Sequence, residues 1–139
     1  IVRIRRGGGS TAHNPGQIVV YPVIKLKSLK IDINEFVRRL EGIGIELLET
    51  MGISGERKKG FPGIWVENRK IASIGVKVKH WVTYHGIAIN ICNDLDIFNT
   101  IVPCGMEGVE MTSAEKETAR QCSMNDVRNR LGDIVRSYL

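Results

Sequence analysis

Aromatic residues make up only 6% of this 139-residue chain, too few for the stacking platform on which a single-stranded nucleic-acid binder lays successive bases. Long apolar runs are missing as well. The richest, QIVVYPVI and GIAINI, fall far short of the roughly 20 residues that span a bilayer. No signal-peptide pattern opens the chain, which begins on Ile1. The three cysteines, Cys92, Cys104 and Cys122, form no CxxC pair. An odd count without paired spacing argues against a disulfide framework and for a reducing compartment, so a cytoplasmic setting is expected, or an organellar one in a eukaryote. The three histidines, His13, His80 and His85, lack the H-x-x-x-H spacing. A zinc site could be assembled from Cys92, Cys104 and two histidines, but nothing in the spacing demands it, and no metal is expected.

What is present describes an ordinary globular chain: 42% hydrophobic, 25% charged, with a net charge of +5. Its length suits one domain, residues 1–139, with a core and little to spare. The basic residues look scattered along the sequence. They would suit nucleic acid or, through electrostatic steering, an acidic protein, and charge alone does not choose between these.

Ile1 to Arg5 reads as a short strand running into Gly7, Gly8 and Gly9, and Asn14-Pro15-Gly16 is a turn signal. Gln17 to Ile24 is β-rich, with Pro22 pushing it toward an edge or a bulge. Lys25 to Lys30 reads as a polar connector. Asp32 to Glu35 fits a capping box, and Phe36, Val37, Leu40, Ile43, Leu47 and Leu48 follow at helical spacing until Gly52. Ser54 to Gly60 is expected as a loop. Ile64 to Glu67 and Lys70 to Lys77 read as strands joined at Asn68 and Arg69, and Gly86 to Cys92 alternates cleanly. Caps are expected at Thr112 and Ser123, the second opening a last amphipathic helix. Strands clustered around a helix predict an α+β (α/β) fold with a mixed sheet.

Two positions stand out chemically. Cys104 sits in Pro-Cys-Gly, a fixed and open backbone of the kind a reactive thiol at a loop tip needs. A nucleophilic thiol also needs a cation nearby to lower its pKa. Lys70, expected to project over the end of a hairpin, is the candidate; its alternative is a solvated turn lysine. Gly7-Gly8-Gly9 lacks the Lys-Ser/Thr of a P-loop and the G-x-G-x-x-G spacing, so nucleotide binding has little support. Small residues there, in Ser73-Ile74-Gly75 and in Gly86-Ile87-Ala88, would let a flexible acyl chain pass close to the backbone. His13 and His85 could orient a carbonyl or a water, or could be structural; His80 reads as a surface residue.

RRGGGSTAHNPGQ resembles the RGG-x-x-T-x-H-G-P-G-Q signature of octanoyltransferases, the lipoate-protein ligase B type. PGIWVENRKIASIGVKV, HGIAINI and IVPCG then match that family in order and spacing, across about Arg5 to Gly105. The resemblance implies a biotin/lipoate-ligase-like fold and a two-step reaction needing no metal or ATP. An octanoyl group would pass from acyl carrier protein to Cys104 as a thioester, then to a lysine on a lipoyl domain of a dehydrogenase complex or glycine-cleavage protein. Lys70 would lower the thiol pKa and act as acid and base. Arg6, Gly7, Gly8, Gly9, Ser10, Thr11, Ala12 and His13, with Ser73, Ile74, Gly75, Gly86, Ile87 and Ala88, would bind substrate, and His85 could orient it. No nucleic-acid or membrane partner is implied. Asn14 and Ala12 depart from the family's glycine and aromatic, which bears on substrate fit. The family pattern also continues upstream of RGG with strands and a helix, which this chain is expected to lack. The rival readings are an ATP-dependent lipoate or octanoate ligase, a non-catalytic binder of acyl chains or acyl carrier protein, and a basic nucleic-acid binder.

Overall fold

The computed structural model describes residues 11–101 and 108–139. The strand expected over Ile1 to Arg5, the residues Arg6 to Ser10 and Cys104 lie outside the described residues.

Five strands form one sheet in the order β1-β5-β4-β3-β2. They are β1 (Gln17–Val20), β2 (Glu56–Lys58), β3 (Phe61–Val66), β4 (Arg69–Lys79) and β5 (Val82–Asn90). Neighbouring strands pair antiparallel. A parallel bridge joins Lys70 to Met111. Pro22 follows β1, which stops at Val20 and is an edge strand among the described residues. The longest hairpin, β4–β5, turns through His80 and Trp81, both at positive φ (51° and 66°), the backbone twist that closes a tight two-residue hairpin.

One face of the sheet is apolar because strand alternation gathers Ile18, Ile64, Ala72, Ile74, Ile87 and Ile89 on it. The helix α2 (Ile33–Glu49) covers that face with Phe36, Leu40, Ile43, Leu47 and Leu48. Asp32 caps it as the sequence predicts, its carboxylate accepting the Glu35 N–H at 2.8 Å. Gly52 lies past its end at φ 78°. Gly44 lets helix and sheet approach: a Cβ there would lie 2.3 Å from Cδ1 of Ile64. At Gly42 a Cβ would meet the Tyr138 ring at 2.6 Å, so this second glycine serves the packing of the last helix, α4 (Met124–Tyr138), on α2. That helix is capped by Ser123 and buries Val127, Leu131 and Ile134.

Four local expectations need correction. Lys25 to Lys30 is not a plain connector: α1 (Leu26–Leu29) forms there, anchored by Leu26 in the core. The stretch Ser54 to Gly60 contains β2, because Glu56 and Lys58 find partners on β3. The β3–β4 turn falls on Glu67 and Asn68, with Glu67 at φ 54°. The cap near residue 112 belongs to Ser113, which opens α3 (Ala114–Thr118), while the Thr112 hydroxyl donates to Glu117.

Candidate functional site

The face of the sheet turned away from α2 carries small residues in register. Gly63 pairs Ser73, Ser73 pairs Ala88, and Gly75 pairs Gly86. Simple alternation along β4 would place Lys70 with Ala72 and Ile74, on the face that packs against α2. A β-bulge reverses this. Ile64 pairs Ala72 but the next residue, Trp65, pairs Lys70, so Ile71 is the extra residue and Lys70 joins the face of Gly63 and Ser73.

Lys70 is therefore not a turn lysine over the end of the hairpin; it is 1% exposed. Its ammonium lies 5.2 Å from the centre of the Trp65 ring, whose π-face attracts a cation. Its stem runs across Gly63, where a Cβ would stand 2.7 Å from Cε and 3.3 Å from Nζ. The backbone is pinned as well. The Lys70 N–H donates to the Glu110 carbonyl (2.8 Å), and the Thr112 N–H donates to the Lys70 carbonyl (2.9 Å). The arriving segment is held by Arg69, which donates twice to the Glu117 carboxylate (2.9 and 3.0 Å). That hydrogen bond, above all, keeps Glu117 below the usual carboxylate range.

Further along the same face, Thr11, His13, Tyr21, Ser73, Ile74, Gly75, His85, Gly86, Ile87 and Ala88 line one depression. Ile74 and Ile87 border it although their side chains join the core. Ala12 is absent from this lining; its carbonyl accepts from Gln17 Nε2 at 3.3 Å. Alternation would send His85 to the α2 face with Ile87, but its φ of 62° breaks the pleat, and its ring stacks edge-on against Tyr21 with centres 5.6 Å apart. Tyr21 in turn shares a hydrogen bond with His13 Nε2 (3.2 Å). His13 Nδ1 lies 3.0 Å from Gln17 Oε1, Gln17 Nε2 donates to buried Asn90 (2.8 Å), and Asn90 donates to the Thr112 carbonyl (2.9 Å). A continuous polar chain thus ties the depression to the segment that pins Lys70. His80 is exposed at the far hairpin, apart from this site.

The sequence reading singled out neither Tyr21, Asn90, Trp65 nor Glu41. Asn90 alone left a signal, a polar residue inside an isoleucine-rich strand. Glu41 is the least legible: from α2 its carboxylate accepts the Gly63 N–H (3.2 Å) and pairs with Arg57 (3.1 Å). Among the described cysteines, Cys92 and Cys122 are half-buried, and their thiols are pushed up, by burial first and by the Glu115 carboxylate second. Neither is poised as a thiolate at neutral pH.

The sequence pattern described as the lipoyl protein ligase A/B catalytic domain matches residues 1–135. The chain belongs to that family. Among this lipoyl-ligase-family chain's relatives, the octanoyltransferase of Desulfovibrio desulfuricans is 50% identical over 119 residues, 86% of this chain and 50% of that protein. An octanoyltransferase of a Synechococcus species is 50% identical over 106 residues, 76% of this chain and 40% of that protein. The chain thus spans about half the length of the curated relatives it matches. Its fold is that of biotin and lipoate ligases. The biotin protein ligase of Aquifex aeolicus superposes with a TM-score of 0.67 at 14% identity, covering 88% of this chain and 52% of that one. A bipartite lipoate protein ligase of Thermoplasma acidophilum gives 0.71 at 16% identity, covering 96% and 55%. Among the described residues no helix is long and apolar enough to cross a membrane.

Proposed function

We propose that this chain carries the catalytic core of an octanoyltransferase of lipoate biosynthesis, with Cys104 as nucleophile and Lys70 as its proton partner. The observation that carries the reading is Lys70 itself: a lysine 1% exposed, turned by a bulge onto the face of small residues. A buried ammonium placed beside a thiol favours the thiolate. Cys104 stands six residues before Glu110, whose carbonyl accepts the Lys70 N–H. Two relatives at 50% identity that bear the octanoyltransferase name also support it.

In the first step the Cys104 thiolate attacks the thioester carbonyl of octanoyl-acyl carrier protein. The C–S bond to the carrier breaks, and the carrier thiolate takes a proton from the Lys70 ammonium. In the second step the amine of a lipoyl-domain lysine attacks the Cys104 thioester. An amide forms, Cys104 leaves as thiolate, and Lys70 takes up the proton lost by the amine. Ser73, Gly75, Gly86 and Ala88 leave room for the acyl chain, whose burial is worth ~0.8 kcal/mol per methylene, and His13 and His85 line the same depression. Thiolate and ammonium titrate as a pair in this scheme.

Intact-protein mass spectrometry after incubation with octanoyl-acyl carrier protein tests it. A hydroxylamine-labile gain of one octanoyl group is expected, absent in Cys104→Ala and slow in Lys70→Ala. ATP-dependent octanoylation of a lipoyl domain that survives Cys104→Ala would replace this reading with that of a ligase.

A further inference from the structure

Charge is divided sharply along this chain. No acidic residue occurs from Ile1 to Ile31 or from Arg69 to Asn93, and these two stretches hold ten of the twenty lysines and arginines. The remainder sets ten basic against fifteen acidic residues, so the net positive charge resides wholly in the acid-free stretches. Within the described residues the sheet brings parts of those stretches together, since β1 pairs β5 and β5 pairs β4. Lys25, Lys27, Lys77 and Lys79, apart in sequence, meet at one end of the sheet.

The gathering is tightest at the β4–β5 hairpin. Lys25 bridges Val82, and the Leu26 N–H donates to the Trp81 carbonyl at 2.8 Å. The Lys27 ammonium sits 4.7 Å above the Trp81 ring. Lys77 pairs Tyr84 and Lys79 pairs Val82, and alternation puts both lysines on the face of Ser73 and Gly75. Trp81 and Tyr84 are 48% and 42% exposed. The lysine-rich surface therefore begins two residue pairs beyond Gly75 and Gly86, at the rim of the depression.

We propose that this end of the sheet is the docking surface for the acidic carrier protein that delivers the acyl group, an inference that rests on the acyl-transfer reading above. A carrier with an acidic surface is drawn by the lysines. The anionic phosphodiester of its prosthetic arm meets Lys77 at the rim of the depression. The acceptor fits less well, because its reacting group is itself a lysine and like charge repels it. Nucleic acid, whose phosphates lysines also attract, is separated from the carrier by the test below.

The test compares two donors on the unmodified chain and on Lys77→Glu/Lys79→Glu. One is octanoyl-acyl carrier protein; the other is octanoyl-N-acetylcysteamine, which has no carrier. The surface predicts a ~10- to 100-fold fall in kcat/KM with the carrier donor, mostly through KM, and an unchanged rate with the small thioester. Lys25→Glu/Lys27→Glu, on a different segment, reproduces the pattern and guards against a local folding defect. Equal losses on both donors, or no loss on either, overturn the proposal. If the unmodified chain transfers from neither donor, the acyl-transfer reading fails. The docking surface is then judged by calorimetric binding of the carrier protein. Salt-sensitive binding lost in the charge reversals upholds it. Absent binding overturns it, as do losses confined to single-stranded RNA or phosphatidylglycerol vesicles.

Discussion

Gly63 holds open the space in which Lys70 lies. A Cβ at residue 63 would stand 2.7 Å from Lys70 Cε and 2.4 Å from the Ala72 carbonyl oxygen, on a backbone with φ of 128°. The lysine's position is thus written partly in an absence on the neighbouring strand. Glu41 fixes that strand from the other side by accepting the Gly63 N–H, so a helix residue and a glycine jointly keep the lysine in place.

Replacing Gly63 by alanine should cost stability on the order of 1–3 kcal/mol through backbone strain, with the clash adding to it. It should also displace Lys70. Denaturant unfolding reads the first effect and the rate of acyl-enzyme formation the second. A Gly63→Ala protein with an unchanged rate would mean that the lysine does not act from the position seen here.

The glycines of the two long helices should respond in opposite directions. Gly44→Ala gains helix propensity of about 1 kcal/mol, yet its Cβ would stand 2.3 Å from Ile64 Cδ1 and 3.3 Å from Cδ1 of Ile87 and Ile89. Overpacking of this kind costs roughly 1–3 kcal/mol, so a net loss is expected. Ile64→Val removes the nearest methyl, and the double substitution should recover part of that loss in a thermodynamic cycle. Gly132→Ala, with nothing within 4 Å of the new methyl, should instead stabilise α4 by about 0.5–1 kcal/mol.

Glu117 makes the segment beside Lys70 sensitive to acid. Arg69 holds its carboxyl below the usual range in the folded chain, so the folded form binds that proton less readily than the unfolded form. The stabilisation is complete above the ordinary carboxylate pKa and disappears as pH falls through the lowered one. Glu117→Gln should therefore lower the melting temperature at pH 7 and make little difference at the acid end of that window. A gap that persists or widens on acidification would mean that the Arg69–Glu117 pair does not act as described.

Ala88 lies 5% exposed between Val19 and Ser73 in register, at the depression. A leucine there should fill part of the space proposed for the acyl chain. The expected result is a KM for octanoyl donor raised by about tenfold per two excluded methylenes, at ~0.8 kcal/mol each, with butyryl transfer retained. Equal loss for both chain lengths would place the acyl group elsewhere.

Much of the scaffold was legible because it depends on neighbours in sequence. Asp32 and Ser123 cap helices through hydrogen bonds spanning three residues, and the isoleucines of β5 announce a buried face by alternation alone. The family motifs named the candidate site residues by order and type. What single-chain patterns could not supply is which side of the sheet those residues occupy. Lys70 changes face because β3 pairs with one residue fewer than β4 offers, and His85 leaves the α2 face through one left-handed φ. Both depend on partners elsewhere in the chain. Composition and local periodicity determined the helices, the apolar face and an unusual lysine; only strand register decided that the lysine is buried beside Trp65 and that Lys25, Lys27, Lys77 and Lys79 share one end of the sheet. The physical reason is that side-chain direction in a strand has a period of two, so a single extra residue inverts it.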